Sequence, residues 1–89
     1  MKPTPELVRI RIDAPTGGDA MALERRLAHL SPTSVAIGGA WQVELDDDGD
    51  RLDEIIAAVR HWLEECEISE TDVHVGTSHR HIARMRRPG

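Results

Sequence analysis

The chain has 89 residues, of which 39% are apolar and 30% charged, and its net charge is −5. This length is enough for one domain with a modest core. Two tryptophans are present without any Phe or Tyr, so surfaces on which nucleobases stack are scarce. The single cysteine excludes an internal disulfide. No apolar run reaches signal-peptide length or the ~20 residues that span a bilayer, which predicts a cytoplasmic protein that does not enter membranes.

Charge is divided unevenly along the chain. Residues 1–75 hold seven basic and sixteen acidic side chains, a net charge of −9. Residues 76–89 hold no acidic side chain and carry a charge of +4 from Arg80, Arg84, Arg86 and Arg87. The acidic body predicts no tight binding of nucleic acid, whereas the basic end could attract an acidic surface. We predict an extended arm over residues 1–6, one α+β domain over residues 7–76 and a basic tail over residues 77–89.

The first predicted elements are a strand and a helix. Within residues 7–12, Val8, Ile10 and Ile12 alternate with Arg9 and Arg11, which is the pattern of a half-buried strand. Residues 13–18 are rich in turn-forming residues, and Thr16 or Asp19 could cap the helix that follows. Apolar residues then recur at spacings of three, four and three, which predicts a helix whose buried face consists of Ala20, Leu23, Leu27 and Leu30.

Two further strands are predicted over residues 34–37 and 41–45. Val35 and Ile37 alternate with small residues, and Trp41 begins a second alternating run. We expect Ile37 and Trp41 to lie on the same face, which requires a loop with an odd number of residues. A three-residue loop, Gly38-Gly39-Ala40, meets that requirement.

The second helix has the clearest periodicity in the chain, with an apolar stripe formed by Leu52, Ile55, Ile56, Val59, Trp62 and Leu63. The acidic run before it, residues 46–50, invites comparison with a calcium-binding EF-hand loop. That loop requires glycine at its sixth position and glutamate at its twelfth. Here those positions hold Arg51 and Ala57, so we expect Asp48 or Asp50 to cap the helix instead. Residues 71–75 form the last predicted strand.

The predicted order β-α-β-β-α-β resembles the ferredoxin-like plait. This resemblance implies a four-stranded antiparallel sheet in the order 4-1-3-2, with two helices on one face. The predicted core comprises Val8, Ile10, Ile12, Leu23, Leu27, Val35, Ile37, Val43, Ile55, Ile56, Val59, Leu63, Val73 and Val75. Arg9 and Arg11 then lie on the uncovered face beside Glu44, where opposite charges support strand pairing.

The loop before the first helix is a candidate ligand site. Helix N-termini bind anions through backbone N–H groups, and the candidate residues are Thr16, Gly17 and Gly18. The loop resembles the Asp-x-Pro-Gly turn of ACT domains, which bind amino acids at the corresponding junction, although Thr16 is an additional residue before the glycine. This resemblance implies, as an alternative function, a regulatory domain that senses a small ligand.

Catalytic chemistry is not apparent in the sequence. His79 and His81 form a His-x-His pair and are the candidate metal ligands, but no acidic residue or cysteine follows Val75. Cys66 has acidic neighbours, which raise a thiol pKa, whereas a nucleophile needs that pKa lowered. We therefore predict a protein that is not an enzyme and that needs no cofactor.

The remaining hypothesis is a protein-binding or adaptor module. A sheet edge without charged residues is open to a partner strand or to self-association. The predicted interaction residues are the uncharged second strand, consisting of Ser34, Val35, Ala36 and Ile37, and the basic residues Arg80, Arg84, Arg86 and Arg87.

Overall fold

The fold is an antiparallel sheet of five strands with two α-helices, as given by a computed structural model that describes residues 7–84. The elements in chain order are β1 (Val8–Ala14), α1 (Gly17–Arg26), β2 (Thr33–Ile37), β3 (Ala40–Asp47), α2 (Leu52–Glu65), β4 (Glu70–Val75) and β5 (Ser78–Ala83). A short 3₁₀ turn, Ala28–Leu30, follows α1. The strands lie in the order β2-β3-β1-β4-β5, so the predicted α+β class with two helices and an antiparallel sheet is confirmed.

The predicted number of strands is wrong, because Ser78–Ala83 belongs to the sheet and not to a tail. β5 pairs with β4 from Val75↔Ser78 to Glu70↔Ala83, so the predicted order 4-1-3-2 does not describe the whole sheet and β4 is an interior strand. The sequence did not indicate this strand, because Ile82 is the only large apolar residue among those that face the helices. The predicted arm over residues 1–6 and the last residues, including Arg86 and Arg87, lie outside the described part of the chain.

The core lies between the helices and one face of the sheet. Trp62 is fully buried, and its indole N–H donates a hydrogen bond to the Asp19 carbonyl oxygen at 2.8 Å, which joins α2 to the first turn of α1. The predicted core residues that are buried are Ile10, Ile12, Leu23, Leu27, Val43, Ile55, Ile56, Val59, Leu63 and Val73. Val8 and Val75 are half-buried.

The register of β2 differs from the prediction. Ile37 pairs with Ala40 across a two-residue loop, Gly38-Gly39, whose φ angles of +55° and +89° suit glycine. Two glycines permit the tight hairpin turn whose twist matches that of the strands. Ala36 therefore lies opposite Trp41 on the helix face. Val35 and Ile37, which were expected in the core, lie on the opposite face, where Ile37 is 52% exposed.

The turn before α2 is organised by Asp47, not by Asp48 or Asp50. The Asp47 side chain is buried, and its Oδ2 atom accepts hydrogen bonds from the N–H groups of Gly49 at 2.8 Å and Arg51 at 3.3 Å. Asp48 accepts a bond from the Asp50 N–H within the turn. The expectation that Asp48 or Asp50 caps α2 is wrong, because the helix begins at Leu52 and its N-cap residue, Arg51, makes no side-chain capping bond.

Candidate functional site

The outer edge of β2 is the first candidate site. β2 pairs with β3 on one side, and within residues 7–84 no strand lies beside its other side. In a two-residue hairpin the residues that flank the turn exchange backbone hydrogen bonds. The backbone N–H and C=O groups of Ile37, Val35 and Thr33 therefore point toward β3, whereas those of Ser34 and Ala36 point away from the sheet. The edge thus presents unpaired N–H and C=O groups in a strand without charge.

The register of β2 puts its two large apolar side chains on the face of the sheet that lacks helices, where Val35 is half-buried and Ile37 is exposed. Val35 and Ile37 lie on the face that no helix covers, whereas Ser34 turns toward the helices. The Ser34 hydroxyl oxygen is buried and has no hydrogen-bond partner within the described residues. A buried polar group without a partner is costly, and so is the exposure of β-branched apolar side chains.

The basic candidates lie at the opposite edge of the sheet. Arg80 is exposed on β5, where it pairs in register with Val73. Arg84 follows β5, and its backbone N–H donates to the Ser69 carbonyl oxygen at 2.8 Å. The side chain of Arg84 borders a cavity of about 200 Å³ with His61. The structure thus does not bring these arginines together with residues 34–37.

The centre of the open face is neutralised by its own ion pairs. The Arg9 guanidinium contacts Asp46 at 2.7 Å and Glu44 at 3.6 Å, and Arg11 contacts Glu44 at 3.3 Å. The hydrogen bond that Arg9 donates to the Asp46 carboxylate raises the pKa of Arg9 further above its ordinary value. These pairs join β1 to β3; the proximity of Arg9 and Arg11 to Glu44 was predicted, whereas the contact of Arg9 with Asp46 was not.

A cluster of imidazoles and carboxylates covers the β4–β5 end of the open face. His81 approaches Asp72 through Nδ1 at 2.9 Å and Glu70 through Nε2 at 3.3 Å. His74 approaches Asp13 at 3.3 Å, and its ring lies 5.9 Å from that of His79.

Hydrogen bonding within this cluster shifts two pKa values in opposite directions. The bond with Asp72, followed by that with Glu70, raises the pKa of His81, and the same His81 bond lowers the pKa of Asp72. An open cavity of about 250 Å³ lies beside these side chains. The sequence analysis missed this cluster because it did not pair residues 78–83 with β4.

The candidate metal pair does not form a ligand set. His79 and His81 lie on the same side of β5, but both ring nitrogens of His81 face carboxylates. Among residues 7–84 no group of three or more His, Cys, Asp and Glu side chains is arranged to hold a metal ion. Of the acidic run over residues 46–50, the first two residues end β3 and the rest form a turn that the carboxylates of Asp47 and Asp48 hold together.

The candidate ligand residues of the first loop have local structural roles. The Thr16 hydroxyl caps α1 by accepting the Asp19 N–H at 3.1 Å. Gly17 lies against the Trp41 indole, which a Cβ atom at Gly17 would approach to 3.2 Å. A Cβ atom at Gly18 would lie 3.8 Å from the Thr16 hydroxyl oxygen, an ordinary contact distance. Thr16 and Gly17 therefore already have structural roles, the first as the cap of α1 and the second in packing against Trp41.

The thiol of Cys66 is poorly suited to nucleophilic chemistry. Cys66 is half-buried at the end of α2. Burial, followed by the negative charge of Asp19, raises its thiol pKa. A raised pKa keeps the group in its unreactive thiol form at neutral pH.

Comparisons of the chain with protein-family models, with curated proteins and with solved structures give no match. Over residues 7–84 no helix is long and apolar enough to cross a bilayer. The functional argument therefore rests on the geometry of the described residues.

Proposed function

We propose that this domain is a protein-binding or adaptor module that accepts a partner strand along the outer edge of β2. The observation that carries the proposal is the register of β2, which directs the backbone groups of Ser34 and Ala36 outward from an uncharged strand. Strand addition uses such main-chain groups for affinity and alternate side chains for specificity.

The position of the apolar side chains supports the same role. Val35 and Ile37 lie on the open face at the edge, where a partner strand would contact them from the side. Their burial in a complex would offset the cost of leaving them uncovered in the free domain, at about 25 cal/mol per Å² of apolar area. We expect a partner strand with apolar residues at alternate positions and no acidic residue opposite Val35.

The two edges of the sheet differ in chemistry, which supports an adaptor. The β2 edge is uncharged, whereas β5 and the residue after it carry Arg80 and Arg84, beside the carboxylates of Glu70 and Asp72 on β4. We infer that the β5 end, with the residues that follow it, contacts an acidic protein surface while β2 holds another partner or a second copy. Surface attraction of this kind weakens at high salt.

The test of the proposal separates backbone pairing from side-chain packing. Peptides would first be selected for binding to the full chain. Their affinities for the Ala36→Pro and Ala36→Ser variants would then be compared. Proline removes the outward N–H but leaves the bonds to β3, which edge strands tolerate, and serine keeps that N–H. We expect the proline variant to lose binding and the serine variant to retain it. Equal binding by both variants would contradict strand addition.

We further infer that the segment from β1 to β4 is a ferredoxin-like plait to which β5 is appended, because β2, β3, β1 and β4 are successive neighbours. Cytoplasmic location is also a proposal, supported by the presence of one cysteine only. Ligand sensing of the ACT type stays a prediction. It requires ligand contacts at Gly18 and the neighbouring backbone, which an amino-acid panel in native mass spectrometry would detect.

A further inference from the structure

The edge strand β5 is attached to the fold mainly by polar contacts. Ile82 is its one buried residue. Its backbone pairs with β4, and the Arg84 N–H donates to the Ser69 carbonyl oxygen just beyond the strand. Elements with few buried apolar contacts open locally at lower free energy than the core does. Side-chain contacts between β4 and β5 can therefore decide how often β5 detaches.

His81 makes two such contacts, and both depend on its protonation. Its Nδ1 atom lies 2.9 Å from a carboxylate oxygen of Asp72, and its Nε2 atom lies 3.3 Å from one of Glu70. A neutral imidazole has one N–H donor and one acceptor, whereas an imidazolium has two donors. Both contacts are attractive only when His81 carries its proton.

Other titratable groups lie near His81. Asp13 of β1 borders the same cavity and adds negative charge. On β5 itself, the ring of His79 lies 5.9 Å from that of His74, and His74 in turn lies 3.3 Å from Asp13. A variant of His79 therefore separates any effect of this second pair from that of His81.

We propose that protonated His81 holds β5 against β4, and that loss of its proton makes β5 detach more often, which uncovers the outer edge of β4. The pKa of His81 is raised in the folded protein. A raised value means that the stabilisation is fully present below the ordinary histidine pKa of about 6.5 and is lost as pH rises through the raised value. The inference does not depend on the role proposed for β2.

Amide hydrogen exchange in the full chain tests whether protonated His81 holds β5 against β4. The backbone N–H groups of Arg80 and Ile82 face β4 in the hairpin register, so their exchange, corrected for intrinsic rates, reports opening of β5. Ile12 in central β1 serves as the internal reference. Between about pH 5.5 and about pH 8.5 we expect the β5 opening constant to rise about two- to fivefold, the range of exposed charge pairs.

Two variants and a matched control show whether the rise of the β5 opening constant with pH comes from His81. His81→Gln and Asp72→Asn should each remove it. His79→Gln, which alters the neighbouring imidazole on the same face of β5, should preserve it. An unchanged rise in His81→Gln would overturn the proposal. So would a wild-type opening constant that falls or stays level as pH increases.

Discussion

Replacing Trp62 with phenylalanine should be among the most damaging conservative changes in this domain. The indole is fully buried and donates to the Asp19 carbonyl oxygen at 2.8 Å. The lost hydrogen bond costs about 1 kcal/mol, and the space left by the smaller ring adds about 1–2 kcal/mol. The total loss of about 2–3 kcal/mol is substantial beside the free energy of unfolding of about 4–13 kcal/mol that is expected for 89 residues.

Thermal unfolding followed by circular dichroism measures this effect, and Trp41→Phe is the matched control. Trp41 is half-buried against Gly17, so its replacement should cost about 1 kcal/mol or less. We expect the midpoint to fall by about 10–20 °C for Trp62→Phe and by less than about 8 °C for Trp41→Phe. Equal shifts in the two variants would refute the view that Trp62 joins α2 to α1 at the centre of the core.

Three further predictions concern folding, assembly and nucleic acid. Val59→Asp should abolish the cooperative melt, because Val59 is fully buried and an unpaired buried charge is costly; a native-like melt would contradict the placement of α2. Ala36→Lys should weaken any self-association seen by sedimentation, without lowering the melting midpoint, because a charge on the β2 edge opposes strand pairing; stronger association in the variant would oppose this. The full chain should show no sub-micromolar RNA or DNA affinity at about 0.15 M salt, and tight binding in a filter assay would show that the acidic body does not repel the polymer.

The parts of the fold that sequence reasoning found are those with strong apolar periodicity. The stripe on α2 places Ile55, Ile56 and Val59 in the core as predicted. The first strand alternates apolar and charged residues, and its arginines pair with acidic residues of β3. In both elements local pattern and tertiary packing favour the same arrangement, which is why one sequence suffices to find them.

The parts that it missed are those in which a turn or a polar contact decides the structure. The glycines at 38 and 39 form a two-residue hairpin that moves Val35 and Ile37 out of the core, against their hydrophobic preference. β5 has a single buried residue, Ile82, so no apolar alternation marked it as a strand. The His81 contacts with β4 could be found only once that pairing was known.

The central claim is that the outer side of β2 receives a partner strand through its backbone. Residue-resolved amide exchange with and without a selected peptide tests it most directly. In the free protein, Val35 should be protected by its bond to β3, whereas Ser34 and Ala36 should exchange rapidly. On binding, the amides of Ser34 and Ala36 should become protected while Val35 changes little. Saturating peptide that leaves both amides unprotected, or that protects a different strand, would contradict the account.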